Sequence, residues 1–344
     1  MAPHARQKPK VLITGAAGFL GVHVAQALAA LGARLLLQDT APKRPDLLAP
    51  VLKTGQADFV IGDLADLEHA PALLGQIADV DYVVHLALNV PVPDETQTLQ
   101  ARWLGANVAR LERLLAHLPA RLNGICLASS MSVYGAASSE PVAEACPTQP
   151  HTALAETKLA MERRLMHYGR QTGTPVTVLR FSSLFGPGEQ HSPRMVPSFI
   201  RSLMAGQPPV IYGDGSDVHD YLYIEDAARA VRLAVERGAE AAGTYNIGSG
   251  HGWTTRAVAE AAQRVLRVAV QPKHMPARGP RHTLIADISR ARAKLAFQPE
   301  TALEAGLAAE VAYCRAHTAA GAERWLPDET HGLFRWVGVE PAGR

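Results

Sequence analysis

The chain has 344 residues, 47% of them apolar and 19% charged, with 34 Lys and Arg against 32 Asp and Glu for a formal net charge of +2. That length fits one large globular unit or two closely joined ones, and so small a net charge gives no electrostatic case for nucleic acid or an anionic membrane surface as a partner. No apolar stretch approaches the roughly 20 residues that a membrane-spanning helix needs, and residues 1–10, basic but without an apolar centre, read as a frayed tail rather than a signal peptide.

In chain order, Lys10 to Thr14 (KVLIT) is an apolar run that feeds straight into glycines, as a strand buried on both faces of a parallel sheet does. Gly21 to Leu31 reads as helix. Arg34 to Gln38, Phe59 to Ile61 and Tyr82 to Leu86 read as the next strands. Arg102 to Leu118 has helical spacing, with Leu104, Val108, Leu111 and Leu115 on one side. A strand over Ile125 to Ala128, a helix over Thr152 to Tyr168 and a strand over Val176 to Phe181 follow. This alternation predicts an α/β fold with a doubly wound parallel sheet. Beyond Phe181 the texture changes: Pro and Gly become dense from Gly186 to Gly215, which predicts loops and short elements around a ligand. Ile224 to Glu236 is helical, Thr244 to Ile247 a short strand, and Thr254 to Leu266 and Asp287 to Leu295 are helices. Gly321 to Arg344, with Trp325, Phe334 and Trp336, reads as a loop-like segment over the body.

Cys126, Cys146 and Cys314 are odd in number and widely spaced. They argue against a disulfide framework or a thiolate zinc site, and fit small packed residues in a reducing cytoplasm. The histidines have no metal-ligand spacing, so no metal is expected.

The chemistry begins at Gly15-Ala16-Ala17-Gly18-Phe19-Leu20-Gly21, between the first strand and the first helix. Gly15 permits the tight turn, Gly18 a close approach of backbone to a pyrophosphate, and Gly21 close helix–strand packing. The helix N-terminus offers N–H groups and a positive dipole end to the phosphates. Asp39 ends the second strand where a carboxylate would accept from the adenine-ribose hydroxyls. A carboxylate there repels a 2′-phosphate and favours NAD; Lys43 and Arg44, close behind, soften that preference.

This glycine pattern and several later motifs resemble the extended short-chain dehydrogenase/reductases, the family of nucleotide-sugar epimerases and dehydratases, from about Lys10 to Leu307. Ile61-Gly62-Asp63-Leu64 resembles the turn at the adenine. Val83-Val84-His85-Leu86-Ala87 resembles the fourth-strand motif along the cofactor. Asn107 falls where the family has a helix asparagine beside the active site. Ser129-Ser130-Met131-Ser132-Val133-Tyr134-Gly135 resembles the strand end with the catalytic serine, here Ser130. Leu179-Arg180, Phe185-Gly186-Pro187-Gly188, Tyr221 to Asp226, Tyr245 to Gly248 and Leu295 to Pro299 resemble later landmarks in the right order.

The resemblance implies a tyrosine acid/base, a lysine four residues later that lowers its pKa and holds the nicotinamide ribose, and a serine on the substrate oxygen. The lysine is Lys158, and four residues before it stands Leu154. Tyr168 lies too far along the helix, at about 1.5 Å per residue. His151, one turn before Leu154 in helical register, is either a surrogate base or a helix N-terminal residue without a catalytic part. Glu156 projects to the opposite face. A water activated by Ser130 and Lys158 is a third source of proton transfer. The family's substrate asparagines fall at Ser183 and Arg194, and its diphosphate-gripping arginine at His219. Ser130, Ser132, Ser183, Arg194, His219, Arg278 and Arg281 are the candidate substrate residues. Arg194 points to an anionic substrate, and Arg278 and Arg281 are either phosphate ligands or solvated surface. Met131 and Ser132 stand where sugar dehydratases carry an acidic pair, which argues against dehydration.

The expectation is therefore an NAD-binding Rossmann domain over residues 1–183, with 216–248 returning to it, and a smaller, mostly helical substrate-binding domain over 184–215 and 249–344. The resemblance implies a homodimer through a four-helix bundle built from Arg102–Leu118 and Thr152–Tyr168. Two functions are open to such a sequence: an NAD-dependent epimerase or dehydrogenase acting on a hydroxyl, or an NAD-binding protein without redox turnover.

Overall fold

The computed structural model describes residues 8–89, 97–136, 141–189, 194–277, 283–319, 323–328 and 333–338. The first half alternates strand and helix: β1 (Lys10–Thr14), α1 (Phe19–Ala30), β2 (Arg34–Asp39), α2 (Pro45–Leu52), β3 (Ala57–Ile61), α3 (Pro71–Ile77), β4 (Tyr82–His85), α4 (Gln97–Ala116), β5 (Gly124–Ser130), α5 (Ala153–Thr172) and β6 (Val176–Phe181). The apolar runs predicted as strands are strands because both their faces are covered. Val11, Leu12 and Ile13, and likewise Val83 and Val84, are fully buried. One apolar core, with Val11, Ile13, Val84 and Cys126, packs below the sheet against α1. A second, with Leu12, Val83, Leu127, Leu111 and Met161, packs above it against α4 and α5.

From β6 the chain runs through β7 (Ser183–Phe185), α6 (Met195–Met204), β8 (Val210–Tyr212), β9 (Val218–Tyr223), α7 (Ile224–Arg237), β10 (Gly243–Ile247), β11 (Gly252–Thr254), α8 (Thr255–Leu266), β12 (Lys273–Met275), α9 (Ser289–Leu295), α10 (Leu303–Ala319), β13 (Glu323–Asp328) and β14 (Leu333–Gly338). The main sheet has the order β10-β6-β5-β4-β1-β2-β3, parallel at every pairing. Strand order reverses between β1 and β4, so the crevice for a ligand opens beyond the carboxyl ends of those strands. A three-stranded sheet β11-β9-β7 and helices α6, α8 and α10 share a separate core around Phe185, Phe199, Ile211 and Val258.

Three expectations change. The Pro- and Gly-rich stretch from Gly186 to Gly215 contains a ten-residue helix, α6. Its Pro197 lies in the first turn, where a missing N–H costs little, and Val196, Phe199, Ile200 and Leu203 form its buried side. The segment from Gly321, expected to be loop-like, pairs β13 with β14 as an antiparallel hairpin, with Trp325 opposite Trp336. Helix α5 starts at Ala153, and Thr152 caps it from an extended conformation by accepting from the Ala155 N–H.

Candidate active site

The glycine loop is a backbone cradle that side chains cannot enter. Gly15 has φ +70°, and a Cβ there would lie 2.8 Å from Cα and N of Ala87; one on Gly21 would lie 2.2 Å from the Gly15 carbonyl oxygen. Leu86 and Ala87, predicted along the cofactor, are thus the wall against which the loop turns. Gly18 stands at the start of α1 without a capping side chain, and Phe19, Leu20 and Gly21 form the first turn. That leaves the helix N-terminus open toward an anion. Asp39 is buried and accepts from the Ala17 N–H at 3.0 Å and the Thr40 N–H at 2.7 Å, with Lys43 Nζ 3.0 Å away. The cradle, the bare helix end and the carboxylate at the end of β2 together fit NAD.

Lys43 and Arg44 are not loose cations waiting for a 2′-phosphate. Lys43 pairs with Asp39, and Arg44 is 1% exposed. Asp63 opens the turn after β3: it accepts from the Ala65 N–H and pairs through both oxygens with Arg110, at 2.8 and 2.9 Å. That guanidinium holds the Asp63 carboxyl below the usual carboxylate range. Leu64 beside it is buried. The Asn107 amide is fully engaged in shaping the chain after β4, bonding the N–H and C=O of Asn89 and the Trp103 carbonyl, each at 2.9 Å.

At the end of β5, Ser130 Oγ accepts from the Ser132 N–H at 3.1 Å and from Ser132 Oγ at 2.9 Å. Its own proton has no acceptor among the described residues. Lys158 reaches the same strand end and donates to the Ala128 carbonyl at 2.6 Å. It is buried, and burial pulls its pKa down from 10.5 to about 8, opposed by Glu162. His85, buried at the end of β4 and sharing a 2.8 Å bond with Thr14 Oγ1, is held neutral at about 3 by burial and by the Lys158 charge. Beneath the serines lies a network that the sequence did not flag as a unit. Glu162 accepts from Ser129 Oγ and pairs with Arg180 at 3.0 and 2.6 Å; Arg180 donates to Tyr134 Oη, which donates to Asn246 Oδ1, both at 2.8 Å.

Leu154 lies one turn before Lys158 on α5, half-buried, and carries no titratable group. His151 does not share that helical face. It precedes the cap Thr152, is exposed, and its ring sits against Gly135, where an added Cβ would meet Cδ2 at 2.7 Å. The helical register assigned to it from spacing ends at the cap.

Of the residues expected to meet substrate, Ser183 pairs in register with Tyr221, and His219 with Trp253, on one face of the three-stranded sheet. The His219 and Tyr221 rings meet edge-on. Arg194 stands at the start of α6 without a capping bond, donates to the Leu184 carbonyl at 3.0 Å and lies 2.7 Å from Glu189. Glu189 and Glu310 are both buried, and burial raises both carboxyls, Glu189 to about 7, with the Glu189 charge adding to the rise at Glu310. Ser183, Arg194 and His219 therefore fall in one neighbourhood. Arg278 and Arg281 lie outside the described residues.

The chain matches the NAD dependent epimerase/dehydratase family over residues 11–248. It is 27% identical over 317 residues to UDP-glucose 4-epimerase of Lactobacillus helveticus, covering 85% of this chain and 92% of that protein. It is 32% identical over 255 residues to a trifunctional UDP-glucose 4,6-dehydratase/UDP-4-keto-6-deoxy-D-glucose 3,5-epimerase/UDP-4-keto-L-rhamnose-reductase of Arabidopsis thaliana; the match covers 70% of this chain but only 37% of that longer protein. Among solved structures, UDP-glucuronic acid 4-epimerase of Bacillus cereus, in complex with UDP-glucuronic acid and NAD, superposes with a TM-score of 0.80 at 25% identity, over 89% of this chain and 99% of that one.

Proposed function

The chain belongs to the NAD-dependent epimerase/dehydratase family, and on that premise we propose that it is an NAD-dependent oxidoreductase or epimerase acting at a hydroxyl of a sugar-like, anionic small molecule. The observation that carries the reading is Ser130. It accepts from both the N–H and the hydroxyl of Ser132, which leaves its own proton for a substrate oxygen. Lys158 supplies positive charge at the same strand end. Bound NAD supplies the hydride acceptor; Gly15, Gly18, Gly21, the first turn of α1, Asp39, Asp63 and Lys158 are the residues we assign to hold it. In the division of labour we infer, residues 1–183 and 216–248 serve the cofactor, and 184–215 with 249–344 serve the substrate.

The proton path differs from the family pattern because Leu154 can neither take nor give a proton. With His151 displaced from the helix face, we assign proton exchange to water activated between Ser130 and Lys158, a weaker arrangement than a positioned phenol. Met131 and Ser132, in place of an acidic pair, favour epimerisation or dehydrogenation over dehydration. Arg194, Ser183 and His219 are assigned to the substrate. Because Arg194 is the added cation among them, an anionic sugar such as a uronic acid is the preferred class. Loading the protein with NAD and following UDP-glucose and UDP-glucuronic acid by 340-nm absorbance and by NMR tests this. Turnover that drops about 100-fold or more in Ser130→Ala, with NAD affinity unchanged, is the expected result; turnover indifferent to Ser130 would remove it from the mechanism.

Leu154 also favours a second reading, an NAD-binding protein without redox turnover. Absence of turnover in wild type, with NAD bound and every offered sugar intact, would select it. We further infer a cytoplasmic homodimer that packs α4 and α5 against their copies. Sedimentation at micromolar concentration tests the assembly: a monomer there would rule it out.

A further inference from the structure

By sequence Arg44 is a cation close behind Asp39; in the structure its partners are backbone carbonyls. It is 1% exposed. Its Nε donates to the Gly188 carbonyl at 2.6 Å and its Nη1 to the Ala17 carbonyl at 2.9 Å. Ala17 is part of the glycine loop, and its N–H is already held by Asp39. Gly188 belongs to the turn after β7 that leads to Glu189 and on to Arg194. One planar guanidinium therefore bridges the backbone of the cofactor cradle and the backbone of the loop on the substrate side.

The bridge has a parallel member. His23 on α1 lies 2.8 Å from the Pro187 carbonyl through Nε2; a carbonyl needs a donor, so Nε2 carries the proton, and burial keeps the ring neutral. The turn they hold is tightly fitted. Gly188 has φ +85°, and a Cβ on it would meet Leu47 at 2.7 Å. Charge-assisted donation by a buried, rigid fork is the strong form of such a contact.

We propose that Arg44 is a positioning residue that couples NAD occupancy of the glycine loop to the order of the 186–189 turn, and through Glu189 to Arg194. A dinucleotide that fixes the Ala17 peptide fixes the carbonyl that orients Arg44, and Arg44 then holds the Gly188 carbonyl. Linkage makes the effect reciprocal: a ligand that orders the turn also tightens NAD. The inference rests on NAD binding at the glycine loop and on nothing about the reaction catalysed.

Hydrogen exchange with and without NAD tests it, run beside calorimetric NAD titration. In wild type, NAD slows exchange at the glycine loop and, by about tenfold, at the Gly188 and Glu189 amides. In Arg44→Met, and in Arg44→Lys, which lacks the rigid planar fork of the guanidinium, NAD still binds and protects the glycine loop, but protection at Gly188 and Glu189 is lost. A purely structural brace would leave those amides equally fast with and without NAD in wild type, and that result overturns the proposal, as does NAD-dependent protection that survives in Arg44→Met. If Arg44→Met does not fold, the Arg44→Lys and wild-type measurements decide alone. Absence of any NAD binding in wild type would instead refute the cofactor site itself.

Discussion

The carboxyl ends of β1 and β5 lie two strands apart in one sheet, and they differ in how much of a working site they keep. At β1, the glycine loop, the bare helix end, the Ala87 wall and Asp39 are all in place. At β5, Ser130 and Lys158 meet at one strand end, while Leu154, one turn before Lys158, carries no titratable group; in the function proposed above it stands where a phenol would act. Holding a dinucleotide depends on backbone shape, which several glycines enforce together. Moving a proton depends on one side chain, so a single substitution changes it without disturbing the fold. On the proposed function, binding and chemistry are separable in this chain, and the following variants test that separation.

The largest effect is expected at the cradle. In Gly21→Val the added side chain starts 2.2 Å from the Gly15 carbonyl oxygen. NAD affinity should fall by about 1,000-fold, roughly 4 kcal/mol, with circular dichroism to confirm folding; calorimetry showing less than a tenfold loss would break the account of the loop. Next, Glu162→Gln leaves Arg180 buried and unpaired below the serines. Urea unfolding should show a loss of about 3–5 kcal/mol with NAD affinity within threefold of wild type. An unchanged midpoint would mean the network does not support the strand end.

Lys158 gives a signed pH dependence. The folded protein releases this proton near pH 8, whereas the unfolded chain keeps it to 10.5. Between those values the unfolded state binds more protons, so stability rises with pH. The charged form costs the folded state about 3 kcal/mol at neutrality. Lys158→Met should therefore be more stable than wild type at pH 7, with the gap closing between pH 8 and 10.5. A gap that widens with pH would contradict the burial argument. The smallest effect is at Asp39: Asp39→Asn should weaken NAD about tenfold, roughly 1.4 kcal/mol, and narrow the preference over NADP. An unaltered preference would remove Asp39 from cofactor selection.

Most of the fold was legible because parallel-sheet strands buried on both faces are short apolar runs, as Val11–Ile13 and Val83–Val84 show. Elements with mixed signals were not. Helix α6 hides among prolines and glycines, although Val196, Phe199, Ile200 and Leu203 carry its period. Helices α2 and α3 are short, with Pro at their starts. At the site, the family resemblance singles out Ser130, Lys158 and Leu154, and the structure brings the first two to one strand end. The bridge from Arg44 to Gly188 spans 144 residues, and the Glu189–Glu310 neighbourhood joins a turn to the last long helix; pairings at such distance leave no local pattern. His151 misleads in the opposite way: it stands one residue before the cap at Thr152, outside the helix whose spacing it continues.

If Leu154 separates binding from catalysis, Leu154→Tyr reads that separation directly. NAD affinity and turnover of UDP-glucose and UDP-glucuronic acid would be determined for wild type and variant side by side. NAD affinity should be equal within threefold and turnover at least about 100-fold faster in the variant, because a phenol beside Lys158 supplies a positioned acid/base. Wild-type turnover that the variant does not exceed would contradict it.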